Sequence, residues 1–108
     1  MTNISDIELH DAQIDSSTVD FVGRTITLGI SYYATSNEKT RAEARLVFEG
    51  VQSISTIVSL EHLAKNRNAG NVNYWVPVSG SGTTYIYLVD GCIAVCAESL
   101  RVEKRKSD

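Results

Sequence analysis

One proline, one tryptophan, one methionine, two histidines and two cysteines are all that 108 residues hold of those types. No apolar run approaches the ~18 residues of a membrane-spanning helix, and the opening Met1-Thr2-Asn3-Ile4-Ser5-Asp6-Ile7-Glu8 lacks the basic and apolar regions of a signal peptide. The two cysteines exclude a disulfide framework. Cys92 and Cys96 lie four apart on what reads as one strand, so they share a face about 13 Å apart at ~3.3 Å per residue, beyond the ~7 Å Cα limit for a bridge. Two buried reduced thiols point to a reducing compartment, and the cytoplasm is the expected location. Asn3-Ile4-Ser5 matches a glycosylation sequon, which is idle without secretion.

A strong excess of either charge is also missing. The net charge of −3 lacks the positive field that supplies most of the affinity for nucleic acid. With 43% hydrophobic and 21% charged residues the composition is that of a folded globular chain. One domain over 1–108 is expected, with 1–8 and 104–108 loosely ordered. There is no internal repeat, linker or low-complexity stretch.

What the chain does have is alternation. Ile26, Leu28, Ile30 and Tyr32 occupy one parity and Thr25, Thr27, Ser31 and Tyr33 the other, the signature of a half-buried antiparallel strand. Arg41 to Val51 repeats it, with Ala42, Ala44, Leu46 and Phe48 against Glu43, Arg45, Val47 and Glu49. Leu9 to Phe21 alternates with a change of parity, which a bulge near 16–18 reconciles. Gln52 to Val58 either extends this sheet or crosses over it. Asp90-Gly91 between two β-branched and aromatic runs predicts a hairpin with a type I′ turn. Cys92 to Ala97 is apolar on both faces, as in a central strand, and Pro77 marks the weak Tyr74–Val78 strand as an edge. Ser59 reads as the N-cap of one short helix over 59–67. The expected fold is mainly β (α+β): about six antiparallel strands in a small sandwich or partly open barrel. Without the weak strand the order becomes that of an OB-fold.

Two stretches, Leu9-His10-Asp11-Ala12-Gln13-Ile14 and Arg45-Leu46-Val47-Phe48-Glu49-Gly50-Val51, resemble a group of small uncharacterised bacterial proteins. These open with a Leu-His-Asp-Ala/Ser-x-Ile strand, and some look like immunity partners of bacterial toxins. The resemblance covers the first half of the chain. It implies a bacterial, cytoplasmic, β-rich domain and no catalytic residues.

No residue set carries a catalytic signature. There is no Gly-x-Ser-x-Gly elbow. Gly80-x-Gly82 precedes a strand and lacks the helix N-terminus that makes such loops bind phosphate. His10 and Asp11, adjacent on a strand, point to opposite faces. A metal site or small enzyme would need His10, His62 and a carboxylate such as Asp11 or Glu61 brought together, so no metal or cofactor is expected. Recognition rests on the aromatics and on the Asn-rich loop. Asn68, Asn71, Asn73, Tyr74 and Trp75 form the candidate binding surface for a protein partner, and the Trp75–Pro77 edge could pair two copies. Tyr33, Tyr85 and Tyr87, with Tyr32, form an alternative stacking surface for single-stranded nucleic acid, OB-like in character.

Overall fold

The computed structural model describes residues 9–33, 41–65 and 71–104. The chain runs β1(Gln13–Asp20), β2(Thr25–Tyr32), β3(Ala42–Glu49), β4(Ser53–Val58), α1(Leu60–Lys65), β5(Val72–Val76), β6(Gly82–Leu88), β7(Gly91–Ala97) and β8(Ser99–Lys104). The strands form two four-stranded sheets, β1-β2-β3-β8 and β4-β7-β6-β5, with every described pairing antiparallel.

Alternation becomes a core because each sheet turns one parity towards the other. From the first sheet come Ile26, Leu28, Ile30, Tyr32, Ala44, Leu46, Phe48 and Leu100; from the second, Val72, Ile86, Leu88, Ile93, Val95 and Ala97. The layers interdigitate as in a β-sandwich. Thr84 is the one buried polar residue among those described, and its Oγ1 accepts from Val78 N at 3.0 Å.

One long two-stranded ribbon serves both sheets. β3 pairs with β8 and β4 with β7, so two chain segments pass from the first sheet into the second side by side. Between Glu49↔Ser99 and Ser53↔Cys96 one side carries three residues and the other two. That extra residue is a bulge, and bulges turn strands sharply. Gly50 takes φ 63 there, and Glu98 N reaches Glu49 O and Gly50 O at 3.0 and 3.2 Å. Elsewhere the sheets are tied by backbone: Asp11 N donates to Val72 O at 2.9 Å, Val72 N to Ala12 O at 2.7 Å, and Gln13 bridges Asn71. Beyond that tie β1 and β4 remain sheet edges and line a common hollow.

Several expectations change. Among the described residues there are eight strands, not about six. Residues 53–58 cross into the second sheet as β4, and β5 is present as an edge strand, so the OB-like order does not hold. The helical turns span Leu60–Lys65; 66 and 67, expected to belong to them, lie outside the described residues, as do 1–8 and 105–108. Lys104 closes β8 opposite Ala44. The β1 bulge falls at Asp15, between Ile14↔Ile30 and Ser16↔Gly29, where Gly29 leaves room for the Ser16 side chain. The β6–β7 turn also moves by one residue. Leu88 pairs with Gly91, so Val89 and Asp90 are central and neither has positive φ. Gly91 occupies the closing position of this turn rather than the second central position of a type I′ turn.

Candidate interaction face

The two outer faces differ in kind. On the first sheet, Glu43, Arg45, Glu49, Arg101 and Glu103 project outward by parity. Arg45 Nη2 lies 2.9 Å from Glu103 Oε1, and Arg101 Nε lies 3.0 Å from Glu49 Oε1. Arg101 also pairs with Glu103. Exposed pairs of this sort are worth at most about 1 kcal/mol each, and they keep a surface wet. A hollow of about 440 Å³ lies over Gly29 on this charged side.

Among the described residues, the second sheet carries no charged side chain on its outer face. The registers align Tyr74 and Val76 of β5 with Thr83, Tyr85 and Tyr87 of β6, then Cys92, Ala94 and Cys96 of β7, then Ser53, Ser55 and Ile57 of β4. Alternation explains this locally. Ile86, Leu88, Ile93 and Val95 face the core, so their strand neighbours must face out. Tyr74 is 56% exposed, Val76 47% and Tyr85 40%, and Ile57 is also exposed.

The tyrosines form a ladder. Tyr74 and Tyr87 stack with centroids 4.5 Å apart and planes at 24°, and Tyr85 and Tyr87 lie at 6.1 Å and 11°. Cross-strand aromatic pairs stabilise a sheet and hold each other's rotamers. The Tyr87 phenol is held above its ordinary value of 10.0, first by desolvation among its neighbours, then by Tyr74, Cys92 and Tyr85. A phenol raised in the folded state stabilises the fold fully below the unfolded value, and that contribution is lost as pH rises through the folded one. Titration followed by phenolate absorbance should therefore show Tyr87 ionising late. Tyr87→Phe should remove that step, and Tyr74→Phe should move it downward.

The structure separates the candidate residues. Asn68 lies outside the described residues. The Asn71 backbone is held at the sheet junction: it bridges Gln13, and its carbonyl accepts from Val89 N at 2.8 Å. Asn73 is the extra residue of a bulge between Val72 and Tyr74, and its carbonyl accepts from His10 Nδ1 at 2.9 Å. The bulge sends Tyr74 outward, while its neighbour Trp75 packs half-buried against the core. Tyr74 and Trp75 therefore do not share a surface.

The alternative stacking set is divided too. Tyr32 is buried in the core. Tyr33 sits at the end of β2 with the Arg41 guanidinium 4.7 Å from its ring centroid, so that ring face is covered. Tyr85 and Tyr87 belong to the other sheet. Cys92 and Cys96 do share a face, as their spacing requires, but it is the outer one, where both are half-buried and free. Cys96 Sγ lies 3.2 Å from Gln52 Oε1.

His10 ties the segment before β1 to Asn73, and its Nε2 is 3.6 Å from Asp11 Oδ2. The His62 side chain lies outside the described residues. Among the described residues no group of three His, Cys, Asp or Glu side chains converges as a metal set. No helix among them is long and apolar enough to cross a membrane.

Sequence reading missed the continuous uncharged face. Its parts were visible as charge-free outward positions, but which strands lie side by side is a tertiary fact. No known family model matches this chain, and comparison with curated proteins and with solved structures finds no match either.

Proposed function

We propose that this chain is a small non-enzymatic binding domain that engages a protein partner through the outer face of the β4-β7-β6-β5 sheet. An immunity-type inhibitor of a bacterial toxin, acting in the cytoplasm, is the concrete form this reading favours. One observation carries it: a four-stranded face without a charge, bearing exposed Tyr74, Tyr85, Val76 and Ile57, opposite a face covered with ion pairs. Depletion of charge with enrichment in tyrosine marks the centre of protein interfaces. The ladder also fixes its rings in advance, which lowers the entropy cost of binding. Free thiols on that face accord with a reducing compartment. Single-stranded nucleic acid suits it poorly, because the face has aromatics but no cation to neutralise phosphates.

Recovery of partners from the native host by tagged protein tests the reading. Tyr85→Lys places a charge at the centre of the face without touching the core. It should reduce recovery at least tenfold, the effect of about 1.4 kcal/mol, with the melting temperature kept. Equal recovery by wild type and Tyr85→Lys would remove this face from the account. Salt-sensitive binding of a labelled oligonucleotide would support the nucleic-acid reading instead.

A further inference from the structure

The β1–β2 hairpin ends in a four-residue turn over 21–24, and its tip is braced. Gly23 N donates to Asp20 Oδ1 at 3.0 Å, Arg24 takes φ 55, and Arg24 Nε donates to Val51 O at 3.1 Å. This frame holds Phe21 and Val22 in solvent at 87% and 96% exposure. Single exposed apolar side chains are ordinary. Two at a braced tip, beside the exposed Val19, make a patch. Next to them, between the hairpin and the turn from β3 into β4, lies a hollow of about 330 Å³. Val19, Ile26, Val51 and Ile54 supply its apolar lining, Phe21 forms the wall on the side of the tip, and Asp20 and Arg24 also border it.

We propose that this patch joins two copies of the chain about a two-fold axis, with Phe21 of each copy filling the hollow of the other. Knob and hole sit side by side on one surface. A two-fold through such a surface satisfies both at once and closes the assembly, whereas a knob and hole on distant surfaces would propagate open chains. The charges follow the same rule. Asp20 and Arg24 stand on either side of the tip, and neither makes an ion pair among the described residues. Reversing the hairpin brings Asp20 of one copy to Arg24 of the other. A lipid surface fits less well, since the chain is acidic overall and Asp20 adjoins the apolar tip. The hollow borders the uncharged sheet face at Ser53 and reaches neither its tyrosines nor the β5 edge, so the contact stands independently of the proposed function.

Sedimentation velocity from low micromolar to several hundred micromolar protein tests it. Wild type should pass from monomer to dimer across this range. Phe21→Ser should raise the dissociation constant by roughly two orders of magnitude, because the symmetry removes the anchor twice. Its melting temperature, taken at concentrations where wild type is monomeric, should not change, since the ring lies outside the core. Ile54→Arg, which fills the hollow and keeps the knob, should weaken the dimer similarly, while Tyr85→Lys should dimerise like wild type. A wild type that stays monomeric throughout, or a dimer insensitive to Phe21→Ser, overturns the proposal. So does Phe21-dependent binding of monomer to phosphatidylcholine vesicles, which would make the tip a lipid anchor.

Discussion

Phe48→Ala should lower the unfolding free energy by about 3–5 kcal/mol, the usual cost of emptying a buried phenylalanine site. Phe48 is 1% exposed at the middle of the first sheet, paired with Ile26 on one side and Leu100 on the other. It stands two residues before Gly50, where the ribbon turns into the second sheet. Neighbours on both layers are held by backbone pairing and cannot collapse into the void. A domain of this size has about 5–15 kcal/mol in all, so the variant should sit near its threshold. Urea denaturation should show a lower midpoint with an unchanged slope. Phe21→Ala, measured at concentrations where the protein is monomeric, is the matched control and should stay within about 0.5 kcal/mol of wild type. A small effect at Phe48 would mean that the two layers do not pack against each other there.

Gly91→Ala should be nearly as damaging, for a reason that lies in the backbone. A Cβ at this position would stand 2.4 Å from the Ile57 carbonyl oxygen and 2.9 Å from Val58 Cγ1. The oxygen belongs to β4, which is held in its sheet by β7 alone. Gly91 also takes φ 149, a conformation side chains rarely adopt, which by itself costs roughly 1–3 kcal/mol. The steric conflict adds to this and should release the Ile57–Val58 end of β4. Thermal melting should show the loss, and amide exchange should quicken along β4 before other strands. Gly80→Ala provides the contrast. Nothing lies within 4 Å of its added methyl, so it should be neutral or slightly stabilising. Equal effects at the two glycines would contradict the close approach of β4 to the β6–β7 turn.

Much of this fold was legible in the chain because a pleated strand repeats every two residues, and that period survives in sequence. The parities of Ile26 to Tyr32 and of Ala44 to Phe48 name the core side correctly. The apolar run Cys92–Ala97 names the strand placed between two others, and Pro77 follows an edge strand. Where reading slipped, the cause was local ambiguity that a partner strand resolves. Asp90-Gly91 serves a type I′ turn equally well one residue away, and pairing of Leu88 with Gly91 decides against it. The bulges at Asp15 and Asn73 shift register by one residue, and in the second case the shift determines whether Tyr74 or Trp75 meets solvent.

The candidate site was less legible, for a physical reason. Composition and alternation by themselves established a mainly β, antiparallel chain and the core-facing parity of its central strands. Neighbour relations across strands are long-range and carry no local mark. Only tertiary structure decided that β4 leaves the first sheet, that the β5, β6, β7 and β4 outward positions merge into one uncharged face, and that exposed Phe21 forms one wall of a hollow. Side-chain parity is a property of one strand, whereas a surface belongs to several, and pairing free energy alone sets their order.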